Sequence, residues 1–154
     1  MRRHDREVRD YTDIESIISR ADVCRIAFAD NNIPYIVSLN FGYCGGKNPC
    51  LFFHSAPEGR KIELIGKNNY VCFEMDTDHL LVKGDKGCDW GMKYSSVVGY
   101  GKISLVSSDD EKKTGLDSIM SHYSERTDFT YDEKVLLRTT VLRLDIEEIT
   151  AKKK

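Results

Sequence analysis

The residues Phe53-His54-Ser55-Ala56-Pro57-Glu58-Gly59-Arg60-Lys61 hold the densest chemistry in the sequence. They read as a strand running directly into a helix, with two cations one turn inside. A helix start offers free backbone N–H groups and the positive end of the helix dipole. Ser55 and Glu58 form a Ser-x-x-Glu capping signature. Helical side chains lean toward the N-terminus, so Arg60 and Lys61 fold back over the same point. Amides, a hydroxyl, a guanidinium and an ammonium then converge, a donor set suited to a phosphate monoester. The same residues fit an ordinary capped helix with solvated cations. Glu58 is tolerable beside an anion if the capping box or Arg60 holds it. An imidazole titrates near neutrality, so His54 fits either a packed strand-end histidine or a proton source beside a ligand.

The elements that must position these groups read mostly as strands. Thr12-Asp13-Ile14-Glu15 opens a helix with a capping-box pattern, and Ile14, Ile17, Ile18 and Ala21 follow at helical spacing. Residues 23–29 and 33–41 read as strands around an Asp30-Asn31-Asn32 turn, with Pro34 near the start of the second. Residues 51–54 form a short strand feeding the helix, which runs to about Gly66. Residues 70–75 and 94–106 read as further strands, the latter bent or bulged at Gly99 and Gly101. Ser108 to Glu111 caps a helix with the stripe Leu116, Ile119, Met120 and Tyr123. Residues 135–146 close the chain as a β-rich run. The strands follow one another as hairpins without β-α-β alternation. The expected fold is therefore mainly β (α+β), an antiparallel barrel of six strands with peripheral helices.

The 154 residues are expected to form one domain, 1–154, with a formal net charge of −2. That balance gives no reason to expect a nucleic-acid partner. No apolar run approaches the ~18 residues of a membrane span, and the charged start lacks a signal-peptide apolar region. A cytoplasmic protein without a membrane partner is the expectation. The basic end Lys152-Lys153-Lys154 reads as a solvated tail. Five cysteines, Cys24, Cys44, Cys50, Cys72 and Cys88, fit reduced thiols. Cys24 and Cys72 sit in apolar strands. Cys44, Cys50 and Cys88 fall in loop-like sequence, where exposure is expected. They lack the paired C-x2-C spacing of zinc sites, and no metal is expected.

The ordered segments Met1 to Glu7, Ala21 to Phe28, Pro34 to Tyr43, Phe53 to Lys61, Trp90 to Gly99 and Ile146 to Thr150 together resemble the split-barrel flavoproteins related to pyridoxamine-phosphate oxidase. Within these, the chain is most similar to the Nim-type nitroimidazole-resistance proteins. The resemblance covers nearly the whole chain and implies an antiparallel six-stranded split β-barrel. It further implies a homodimer with FMN, or FAD in its place, at the subunit interface. By that resemblance His54, Ser55, Arg60 and Lys61 hold the flavin phosphate, and Val37, Ser38, Leu39 and Asn40 run along the flavin ring. Ser96 stands where the oxidases have a Gln. The Arg and His set that grips pyridoxal phosphate there has no clear counterpart, which disfavours vitamin-B6 oxidation.

The implied activity is a flavin-dependent reductase acting on a flat aromatic substrate such as a nitroimidazole, with His54 as the candidate catalytic residue. The alternative is a non-catalytic flavin- or haem-binding protein for storage, sensing or electron relay, with His54, His79 or His122 as an axial ligand. His79 and His122 otherwise read as structural or surface groups. Trp90 reads as a core residue or a cover over the flavin, the core being favoured. Arg2, Arg3 and Arg6 read as a solvated N-terminus, or as arms reaching a partner subunit's phosphate.

Overall fold

The computed structural model describes residues 3–126 and 128–154. Met1 and Arg2 of the basic opening lie outside the described residues. Among the described residues, eight strands make one antiparallel sheet: β1 (Glu7–Val8), β2 (Cys24–Asp30), β3 (Ile33–Leu39), β4 (Phe41–Cys44), β5 (Cys50–Ser55), β6 (Tyr70–Val82), β7 (Gly91–Leu105) and β8 (Thr140–Lys153). Their order is β3-β2-β6-β7-β8-β5-β4, with β1 also on β8. The ends of this path, β3 and β4, stay apart, and the barrel is split. Six strands follow the expected hairpin pattern. The two short additions, β1 and β4, lie where the chain docks briefly onto β8 and β5.

The β2–β3 hairpin forms because Asn31 and Asn32 both accept positive φ, 50° and 66°, as a two-residue mirror-image turn requires. Asp30 and Ile33 close it as a hydrogen-bonded pair, so hydrogen-bonded pairs recur at Phe28–Tyr35, Ile26–Val37 and Cys24–Leu39. Pro34 falls in a pair that needs no donor. The N–H and C=O groups of Ile36 and Ser38 then point away from β2, along the free edge of the sheet.

Among the described residues, four α-helices flank the sheet: α1 (Tyr11–Arg20), α2 (Arg60–Lys67), α3 (Asp109–Tyr123) and α4 (Glu133–Arg138). α1 starts two residues earlier than its capping box suggests, because the Asp10 carboxylate takes the N–H of Thr12. Its Ile14, Ile17 and Ile18 are buried as their spacing requires. Inside the barrel they meet Phe28, Phe41, Phe53 and Phe73. A second apolar cluster, Cys50, Phe52, Ile119 and Val141, joins α3 to the outside of β5 and β8.

Three expectations are corrected. Residues 135–138 are helical, because Asp132 accepts from the N–H groups of Lys134 and Val135 and caps α4. β8 runs past Ile146 to Lys153, so the basic end is strand and not a solvated tail. Ser96 opposes Lys152, Glu7 also opposes Lys152, and the Lys154 N–H donates to Tyr94 O. Trp90 is not in the core. It is 49% exposed beside the β6–β7 ribbon, where its indole N–H donates to Gly84 O at 2.7 Å. The expected irregularity at Gly99 and Gly101 is a register shift against β8 between Tyr100 and Gly101.

Candidate functional site

α2 starts at Arg60, five residues after Ser55. Gly59 is its N-cap with φ 120°, a conformation that resists any side chain, and no side chain caps the helix. The Ser55–Glu58 capping box therefore does not form. Ser55 ends β5, 8% exposed, and its hydroxyl donates to Ala56 O. Glu58 is exposed and joins none of the ion pairs among the described residues. The amides of Ile62 and Glu63 bond Gly59 O, which leaves those of Arg60 and Lys61 without helical partners. An uncapped helix start with a cation on each of its first two residues is the result. Its donor set is stronger than a capped start would give, since no protein oxygen competes for the amides.

The Arg60 guanidinium lies over the Tyr35 ring, 5.2 Å from its centroid. This contact brings the start of α2 against β3, although the two are far apart in sequence. Along β3 the expected ring-binding residues divide. Val37 and Leu39 are half-buried and pack on the core. Ser38 is exposed on the outer face and offers free edge groups, and Asn40, also exposed, follows the strand.

Ser96 is not gathered into this cluster. It sits half-buried on the outer face of β7, opposite Asp76 on one side and Lys152 on the other. Three strand steps separate it from β3, about 14 Å in a flat sheet. Between them Arg25 spans Glu74 and Asp76 at 3.0 and 2.5 Å, and Asp76 also meets His79 Nε2 at 2.7 Å. Burial, with the Asp76 carboxylate beside it, pushes the Glu74 carboxyl up. Lys152 went unnoticed in the sequence because the tail reads as solvent. Only the extension of β8 turns it toward Ser96.

His54 leaves β5 on the face opposite Ser55, as strand alternation demands. It lines a cavity of about 380 Å³ with Leu116, Ile119, Met120, Tyr131 and Leu136. A ligand held at the start of α2 reaches His54 only across the end of β5. The other histidines are committed: His79 to Asp76, and His122 to Ala21 O at 2.7 Å beneath the Phe41 ring. Of the three histidines weighed as ligands, His54 alone faces a cavity without a hydrogen-bond partner among the described residues.

The cysteines divide differently from expectation. Cys44 and Cys50 face each other across β4 and β5, Cys50 is buried, and only Cys88 is exposed. Burial pushes the Cys50 thiol up to about 11 and raises those of Cys24 and Cys72. Among the described residues, no three His, Cys, Asp or Glu side chains converge as metal ligands. Among the described residues, no helix is long and apolar enough to cross a membrane. Arg3 and Arg6 both pair with Asp5, at 2.5 and 3.8 Å.

A family model described as pyridoxamine 5'-phosphate oxidase matches residues 10–153. Among solved structures, a candidate 5-nitroimidazole antibiotic resistance protein from Bacteroides thetaiotaomicron is 34% identical, with a TM-score of 0.83 over 96% of this chain and 86% of that one. A flavocytochrome from Azotobacter vinelandii, 17% identical, superposes with a TM-score of 0.82 over 100% of this chain and 72% of that one. A FAD- and haem-binding protein from Mycobacterium smegmatis, 14% identical, gives 0.81 over 97% and 73%. The last two share the fold alone. No functionally curated protein matches the chain.

Proposed function

The chain belongs to the pyridoxamine 5'-phosphate oxidase family, and from that membership we propose that it is an FMN-dependent oxidoreductase that reduces a flat aromatic substrate such as a nitroimidazole. The observation that carries this reading is the uncapped start of α2 seated by Arg60 against the free-edged strand β3. Two free amides and the Arg60 and Lys61 side chains suit a phosphate, while the Ser55 hydroxyl, which already donates to Ala56 O, would have to turn to join them. The edge groups of Ser38 suit the hydrogen-bonding rim of a flavin ring. Flavin, when bound, supplies the electron transfer. This chain's residues orient it, and the His54 imidazole stands over an apolar cavity where it can deliver a proton to a reduced substrate. FAD is the alternative cofactor, since it carries a phosphate that the same donors suit.

The functional unit of this proposal is a homodimer with flavin at the interface. One chain leaves the ring edge of β3 open, and Ser96 lies too far across the sheet to close it. The outer face and the ribbon carry exposed Ile36, Tyr70, Tyr100, Leu80, Leu81 and Met92, an apolar surface suited to a second copy. Sedimentation at micromolar concentration is expected to give a dimer. A monomer that still holds flavin tightly rejects this part of the proposal.

The decisive experiment is to denature the purified protein and weigh the released chromophore. FMN supports the reading. A protein with a Soret band and no flavin supports the haem-binding alternative, which the exposed, unpartnered His54 would serve. His54→Ala is expected to keep its flavin and lose roughly a hundredfold in turnover. An unchanged rate removes His54 from the chemistry. Cys88→Ser is expected to leave flavin content and reduction unchanged. Cys50→Ser should lower stability by about 1–2 kcal/mol, because it sets a hydroxyl among Phe52, Ile119 and Val141. Equal urea midpoints for the two variants contradict that placement.

A further inference from the structure

On the side of β7 away from Ser96, the end of the barrel beneath α1 holds a cavity of about 540 Å³. Four cations face it, Arg20, Lys93, Lys153 and Lys154, against two carboxylates, Asp13 and Asp78. Arg20 is already engaged. Its Nε and Nη2 donate to the two Asp78 oxygens at 3.1 and 2.9 Å, and Nη1 donates to Ser16 O at 2.7 Å. This guanidinium holds the Asp78 carboxyl down at about 2, on a residue whose φ of 59° marks the bulge in β6. The ammonium groups of Lys93, Lys153 and Lys154 have no carboxylate within ion-pair distance among the described residues. Three like charges around one cavity repel unless an anion joins them.

Ser95 supplies an independent observation. It is fully buried, lines this cavity, and its Oγ is the one buried side-chain oxygen or nitrogen among the described residues that completes no hydrogen bond. It lies toward Asp78 and helps Arg20 hold that carboxyl down, although no well-formed hydrogen bond joins the hydroxyl to the carboxylate. A buried hydroxyl without a well-formed hydrogen bond is costly and asks for a partner. Lys153 stands directly opposite Ser95 in the β7–β8 ladder, on the same face.

We infer that this cavity binds a phosphate ester of a small organic molecule, the phosphate between Ser95 Oγ and the ammonium groups of Lys93, Lys153 and Lys154. Lysines are point charges that suit the spread charge of a phosphate. The one guanidinium that could grip a carboxylate in two-point fashion is committed to Asp78. Val8, Ile17 and Leu80 form the rest of the wall and accept an apolar body. The site does not depend on the flavin reading: β7 separates the two, with Ser95 inward and Ser96 outward.

The test is calorimetric titration of the purified protein with phenyl phosphate, and with benzoate for comparison. One saturable site per chain that Lys61→Ala spares is expected, with phenyl phosphate the tighter ligand; an empty start of α2 adds a second site, which Lys61→Ala removes. Lys93→Gln with Lys153→Gln should weaken the spared site roughly tenfold or more, and Ser95→Ala about threefold. Lys61→Ala should leave it unchanged, which separates this site from the start of α2 whether or not the protein carries flavin. Without ligand, Ser95→Ala should keep or raise the thermal midpoint, since it removes an unpaired hydroxyl. The inference is overturned by the absence of saturable binding at millimolar concentration, by equal binding of benzoate, by full affinity in the double lysine variant, or by loss of binding in Lys61→Ala.

Discussion

Lys61→Ala is expected to weaken FMN binding roughly ten- to hundredfold while leaving riboflavin binding almost unchanged. A charge-assisted hydrogen bond to phosphate contributes ~1.5–3 kcal/mol, and riboflavin has no phosphate to feel the loss. The absence of a side-chain cap at Gly59 sharpens this expectation. The amides of Arg60 and Lys61 are free to share the anion, so the ammonium acts within a preformed set. Lys61 is half-buried while Arg60 is exposed and rests on Tyr35. Arg60→Ala should accordingly weaken FMN as well, and also loosen the seat of α2 on β3. Fluorescence titration of the apoprotein with both flavins measures the contrast. Parallel losses for FMN and riboflavin would show that the phosphate sits elsewhere.

Gly42→Ala is expected to cost about 3 kcal/mol of stability. A Cβ there would lie 2.4 Å from Ile119 N and from Ser118 C, both backbone atoms of α3. Backbone cannot swing aside as a side chain can, so α3 must lift from β4. The helix is also fastened at its far end, where the Phe41 N–H donates to Tyr123 Oη and that hydroxyl donates to Asp22 O. Lifting α3 strains both bonds and opens the cavity beside His54. Gly66→Ala is the control. Nothing lies within 4 Å of its Cβ, and removing a helical glycine should add about 0.5–1 kcal/mol. Urea midpoints for the pair decide the matter. An unshifted midpoint for Gly42→Ala would mean that α3 does not rest on β4 as described.

The parts of the fold that were legible from sequence are those where one local rule acts alone. Two asparagines fix the β2–β3 turn, and Ile14, Ile17 and Ile18 declare the buried face of α1. Arg60 and Lys61 stood out because two cations after a strand and a Pro-x-Gly turn are hard to explain by packing. At the start of α2 two rules compete. Ser55 and Glu58 favour an early cap, but Pro57 and the positive φ of Gly59 keep the chain extended for four more residues. Residues 135–138 carry valine and leucine that suit a strand, and the Asp132 cap outweighs them. The division of Val37 and Leu39 from Ser38 follows from strand alternation once the hairpin register is known. Register across the barrel was not legible, because no local residue reports which strands become neighbours. For that reason no local signal marks Lys152 opposite Ser96, the Cys44–Cys50 opposition or the Ser95 cavity.

The free edge of β3 has a colloidal consequence. The unpaired groups of Ile36 and Ser38 that suit a ring suit an incoming strand equally well, and Ile36, 62% exposed, stands beside them. Pro34 blunts this edge only near the turn, where it removes one donor. Whatever covers β3 therefore acts as a gatekeeper as well as a ligand. Stripped of that cover, the protein presents a template for strand addition, and its solubility should track the occupancy of this edge more closely than its folding free energy.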